Sequence, residues 1–152
     1  ECTGAVMEIY HPKYIIGHSV GGMTALYSQY KYPDSPVEKI VGIGAPSNLS
    51  AFMQRYQRTL KLNQKVMQGL DDYLKEKFDF NTAGFSLDRF VPDLPQQGLL
   101  IHDVLDTITP FQDAANIHNN WPGSKIVKTE GLGHSMHQDL VNDHILKFLK
   151  DS

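Results

Sequence analysis

The sequence predicts an α/β protein, a parallel sheet with helices packed on it. Two observations carry this. Four short β-branched runs are bounded by glycine, proline or polar residues, as buried parallel strands are: Tyr14–Ile16, Ile40–Ile43, Leu99–Ile101 and Lys125–Val127. Helical stretches alternate with them, and strand–helix–strand repeats fold through right-handed crossovers that make the sheet parallel.

The helices follow in order. Val20–Lys31 reads as a helix stopped by the Pro33-Asp34-Ser35-Pro36 cluster, because proline cannot continue the ladder. Phe111–Asn119 follows Pro110 and ends before Trp121-Pro122-Gly123. Gln138–Lys150 closes the chain, with Leu140, Val141, Ile145, Phe148 and Leu149 placed on one face. Residues 48–97 interrupt the rhythm without a clear strand. There, Leu49–Leu62 predicts a helix, Val66, Leu70, Tyr73, Leu74 and Phe78 have helical spacing, Asn63 caps their start, and Ser86 opens a third short helix. This segment is expected to be a helical insert, either leaning over one end of the sheet or packed on its flank.

Composition narrows the function. With 152 residues there is room for one domain, and a hydrophobic content of 41% against 20% charged is that of a globular core rather than a disordered chain. A net charge of −3 gives no electrostatic reason to bind nucleic acid or an anionic membrane. No apolar run approaches the ~20 residues of a membrane-spanning helix. The single cysteine, Cys2, excludes an intrachain disulfide and fits a reducing compartment, so a cytoplasmic location is expected.

Chemistry enters at Gly17-His18-Ser19-Val20-Gly21, directly after the first strand and directly before the first helix. That is the context of a G-x-S-x-G nucleophile elbow. The chain must reverse within about three residues, which strains the backbone at Ser19. Only glycine-sized residues are expected to fit at Gly17 and Gly21, where the strand end and helix start nearly touch. Ser19 then stands at a helix N-terminus, with the N–H of Val20 as oxyanion donor. A glycine-rich turn that merely holds a serine is the competing reading.

Two further motifs follow: His102-Asp103-Val104-Leu105-Asp106-Thr107-Ile108-Thr109-Pro110 after the third strand, and Glu130-Gly131-Leu132-Gly133-His134 after the fourth. With the serine turn, they make the chain resemble the α/β-hydrolase superfamily. In that family a strand ending in H-G-x-x-D-x-x-V-P delivers a triad acid and a G-x-G-H turn delivers the base. The resemblance implies Ser19, Asp106 and His134 as a catalytic triad. Asp103 stands where the family has glycine, and Thr109 where it has valine. Asp103 is a rival acid, expected instead to hold the loop through backbone N–H groups. His137 is a rival base without the glycine turn. His18 is expected to pack or hydrogen-bond beside the serine, and His11, His118 and His144 to be solvated or capping groups. No metal site and no cofactor is expected.

The resemblance covers nearly the whole chain as the C-terminal half of that fold: about four strands, a partial α/β-hydrolase fold with a helical insert. It implies a serine hydrolase cleaving carboxylic esters or thioesters of small molecules through an acyl-enzyme. The alternative is a non-catalytic binding module, or an inactive fragment, on the same scaffold. The chain opens with Glu1 and reads as a piece of something longer, lacking the loop that gives the family a second oxyanion donor. Loss of one such donor typically costs ~10²–10³ in rate, so weak or absent activity is expected of these residues alone. The first strand lacks a neighbour on one side, which predicts self-association or pairing with a missing N-terminal half.

Overall fold

The computed structural model describes residues 2–151. Its four strands are β1 (Tyr14–His18), β2 (Lys39–Ile43), β3 (Gln97–Asp103) and β4 (Ser124–Thr129), all parallel and ordered β1-β2-β3-β4. Every strand therefore ends at the same side of the sheet, and each loop that follows a strand opens there. The register aligns His18 with Ile43 and Ile43 with Ile101, so β1 and β2 end level while β3 runs two residues further, to Asp103.

The helices are α1 (Cys2–Tyr10), α2 (Val20–Lys31), α3 (Leu49–Leu60), α4 (Gln64–Phe78), α5 (Phe111–Asn120) and α6 (Asp139–Lys150), with two short 3₁₀ turns at Thr82–Gly84 and Leu87–Arg89. Two compact units result, one of Glu1–Ser47 with Leu87–Ser152, the other of Asn48–Ser86. In the smaller unit Asn48 and Asn63 cap α3 and α4, their side chains accepting from the N–H groups of Ala51 and Val66. Val66, Tyr73 and Phe78 of α4 are exposed.

The larger unit holds the sheet. The middle strands β2 and β3 are buried almost throughout, whereas β1 and β4 are edges with exposed positions. Alternation along the strands sends Val41, Ile43, Leu99 and Ile101 to one face, where Met136 and Val141, Ile145 and Phe148 of α6 complete the core. Leu140, expected on that face, is exposed instead. Val141, Ile145 and Phe148 already fill the i, i+4, i+7 stripe, and Leu140 sits a full residue's rotation away from it. The buried ammonium of Lys39 joins the start of β2 to the end of α6. It donates to the carbonyls of Phe148 (3.0 Å) and Leu149 (3.3 Å) and to that of Asp151, where a cation suits the helix terminus. No helix among the described residues is long and apolar enough to cross a membrane.

Candidate active site

The turn after β1 is built by a steric constraint. A Cβ on Gly17 would lie 2.4 Å from the carbonyl oxygen of Gly21, so strand and helix can meet only with glycine there. The second constrained glycine is Gly22 rather than Gly21. A Cβ on Gly22 would press on Ala45 at 2.9 Å, whereas one on Gly21 meets nothing within 4 Å. Gly21 contributes its backbone to the close approach, and its own side-chain position is open. The reversal leaves Ser19 at φ 55°, ψ −127°, a conformation that a residue with a side chain rarely adopts. The Ser19 N–H donates to Ile43 O of the neighbouring strand at 2.8 Å, fixing the strained turn to β2. Val20 opens α2, where an N–H has no carbonyl partner within the helix.

Loops after β3 and β4 bring two more groups to the serine. The Ser19 hydroxyl lies 3.0 Å from His134 Nε2, and Nδ1 of the same ring lies 2.7 Å from Asp106 Oδ2. The carboxylate fixes the tautomer: Nδ1–H donates to Asp106, leaving Nε2 to accept from Ser19. Asp106 has a fully buried side chain, and His134 keeps 19% of its own exposed. Burial pushes the Asp106 carboxyl up. The hydrogen bonds it accepts from His134, from the N–H groups of Thr109 and Ile108 and from the Thr109 hydroxyl outweigh that and hold it below its ordinary value.

Asp103, the rival acid, is buried and faces elsewhere. Its carboxylate accepts from the N–H groups of Leu105 (2.9 Å) and Leu132 (2.8 Å) and from the Thr129 hydroxyl (3.0 Å). It thus ties the loop bearing Asp106 to the loop bearing His134. Here too burial raises the carboxyl and these bonds, with one from the Gly133 N–H, bring it below the ordinary value. His137 is exposed and has no part in the Ser19–His134–Asp106 chain. The His18 ring lies beside that of His134, centroids 4.9 Å apart, and its Nε2–H donates to the His134 carbonyl at 2.8 Å. His118 bonds Ser124 Oγ at 2.8 Å. Among the described residues no group of three or more His, Cys, Asp or Glu side chains is placed to hold a metal ion.

Two groups at this site make contacts that the motif reading does not assign. Gly44, at φ +56°, leaves room for Met136 and for the His134 ring, which a Cβ there would approach to 2.8 Å and 3.4 Å respectively. Thr109 places its hydroxyl against the acid and the base together, 2.9 Å from Asp106 Oδ2 and 3.1 Å from His134 Nδ1. Its departure from the valine of the resembling pattern was the available signal.

No protein-family profile matches the chain, and no curated protein sequence is similar to it. Solved structures are. It resembles the esterase domain of a Rhodothermus marinus protein with a TM-score of 0.71 at 20% identity, over 98% of this chain and 65% of that one. Against an esterase from Exiguobacterium antarcticum the values are 0.68, 18%, 97% and 70%. Against a bromoperoxidase from Bacillus anthracis they are 0.70, 21%, 98% and 72%. The chain therefore spans just under two thirds of the length of the Rhodothermus domain. Matched over nearly its whole length, with four parallel strands and flanking helices, the chain has the α/β-hydrolase fold.

Proposed function

We propose that the chain is an esterase-type serine hydrolase, acting on carboxylic esters or thioesters with Ser19 as nucleophile, His134 as base and Asp106 as its orienting acid. The observation that carries this is one continuous hydrogen-bond chain, Ser19 Oγ to His134 Nε2 and His134 Nδ1 to Asp106 Oδ2. Esterases among the solved structures of the same fold support it.

In the proposed reaction Ser19 Oγ attacks the acyl carbon as its proton passes to His134 Nε2. Asp106 stabilises the imidazolium without taking its proton. The N–H of Val20 at the start of α2 holds the negative charge that develops on the carbonyl oxygen. The imidazolium then protonates the departing alcohol or thiol, leaving an acyl-serine. Water, deprotonated by the same histidine, releases the acid.

A fluorophosphonate probe tests the reading. It should add to Ser19, located by peptide mass spectrometry, and should fail on Ser19→Ala. A folded chain that stays unlabelled is instead a binding module or an inactive fragment on this scaffold.

A further inference from the structure

The Thr109 hydroxyl has one proton and stands among four polar atoms: Asp106 Oδ2 at 2.9 Å, the Gly44 carbonyl at 3.0 Å, His134 Nδ1 at 3.1 Å and, more distantly, His102 Nε2 at 3.5 Å. Thr109 is fully buried, so water does not compete for that proton. A carboxylate is the stronger acceptor, and the shorter Nδ1–Oδ2 contact of 2.7 Å already assigns the imidazole hydrogen to Asp106. Asp106 Oδ2 thus receives two donors, an imidazole N–H and a threonine O–H. The Gly44 carbonyl is the alternative acceptor, and it holds Oγ1 from the β2 side. Asp106 Oδ1 is separately satisfied by the N–H groups of Ile108 (2.8 Å) and Thr109 (3.0 Å).

We propose that Thr109 is a positioning residue that tunes the base through the acid: its hydroxyl shares Asp106 Oδ2 with His134 and weakens the carboxylate's hold on a protonated imidazole. Two donors on one oxygen divide its charge, so each interacts with it less strongly than it would alone. An imidazolium facing a half-engaged oxygen is held less strongly than one facing an unshared oxygen. The other titratable groups around the pair are few. His102, fully buried, donates Nε2–H to the Thr109 carbonyl at 2.7 Å and lies 3.5 Å from Asp106 Oδ2, and the His18 ring lies tilted against that of His134, centroids 4.9 Å apart. Asp103 is engaged with the two loops' backbone. None of these replaces the hydroxyl at Oδ2. The stem of threonine is matched in shape by valine, so the hydroxyl is separable from the packing.

This inference deepens the serine-hydrolase reading, so its test is made independent of turnover. The His134 ring is followed by NMR across pH in the 152-residue chain, in Thr109→Val and in Thr109→Ser, each checked for fold by circular dichroism. The midpoint should move up by about half a pH unit in Thr109→Val and return in Thr109→Ser, while fluorophosphonate labelling of Ser19 shows the same displacement of its acid limb. A Thr109→Val midpoint that coincides with the parent's overturns the proposal, whether or not Ser19 labels. A displaced midpoint in a chain whose Ser19 never labels upholds the tuning and removes the hydrolase reading alone. Should valine fail to fold, Thr109→Ala carries the same expectation.

Discussion

His18 Nε2 lies 2.8 Å from the carbonyl oxygen of His134, so the residue just before the serine holds the backbone of the residue that faces it. The contact spans 115 intervening positions and closes the site from the β1 side. His18→Ala should slow fluorophosphonate labelling of Ser19 by roughly tenfold while costing only about 1 kcal/mol of stability, the usual worth of one hydrogen bond. Labelling rates and a thermal melt measured on the same preparation check it. An unchanged rate means the loop is held without His18.

The glycines of the turn should separate cleanly. Gly17→Ala forces a Cβ to 2.4 Å of a backbone oxygen and should abolish folding or lower the melting temperature steeply. Gly21→Ala meets open space in the first turn of α2 and should leave stability unchanged or raise it by about 0.5–1 kcal/mol. Thermal melts of the two variants decide this, and a reversed order would contradict the steric account.

Acid should expose the carboxylates. Asp103 and Asp106 sit below their ordinary value in the folded chain, so the folded state favours their ionised forms. Their stabilising contribution is complete above the ordinary carboxylate range and is lost as pH falls through that range to the depressed folded values. Melting temperature should therefore drop below about pH 4. Asp103→Asn should flatten that drop and cost about 2 kcal/mol at neutral pH, since the amide nitrogen that replaces one oxygen cannot accept from the N–H it faces, Leu105 at Oδ1 or Leu132 at Oδ2. Melts from pH 7 to pH 3 give both numbers.

The two histidines of the base loop should rank apart. His134→Ala removes the group next to Ser19 and should cut labelling or ester hydrolysis roughly 10³-fold or more, whereas His137→Ala should stay within about tenfold. Because an imidazolium cannot accept the serine proton, the parent's rate should also fall on acidification. Rates of the two variants under one assay test the ranking, and the opposite ranking moves the base to His137.

β1 pairs with β2 on one side only, and Tyr14 and Ile16 on it are 40% and 50% exposed. An apolar strand with unpaired N–H and C=O groups invites another strand, and we propose that these 152 residues associate through that edge. Sedimentation at micromolar concentration should show dimers or larger species, and Ile16→Lys should shift them toward monomer. A monodisperse parent monomer rules this out.

The sheet was readable because its strands carry their own signal. Ile40-Val41 and Leu99-Leu100-Ile101 are buried on both faces and so are apolar without interruption. The helix α2 was readable to its ends, since Ser19 begins it and the proline cluster stops it. By contrast α1 leaves little trace: only Gly4 and Met7 of its nine residues are buried, which is too few for an amphipathic stripe. The Ser19, Asp106 and His134 side chains meet as the motifs imply, because each follows a strand and all four strands end on one side. The Gly21 assignment failed because local spacing cannot tell which Cβ meets the facing backbone. His18 was expected to pack or hydrogen-bond beside the serine and Thr109 stood out from the usual valine, but the partners they meet, the His134 carbonyl and the Asp106–His134 pair, are fixed only by the assembled sheet.

The three groups of the site come from the ends of β1, β3 and β4, and Ser19 is separated from His134 by 115 positions. The strained turn can form early, from a strand and a helix adjacent in the chain, but until β3 and then β4 are laid down it has no acid and no base. Contacts of such long sequence separation are the last to be rewarded during folding. They are also the first to go when an edge strand opens, and the histidine sits on the loop that follows the edge strand β4. Under the proposed reading, Ser19 labelling therefore requires β3 and β4 to be in place as well as the turn itself. On that reading a labelled Ser19 would report a molecule whose β1, β3 and β4 ends were assembled together.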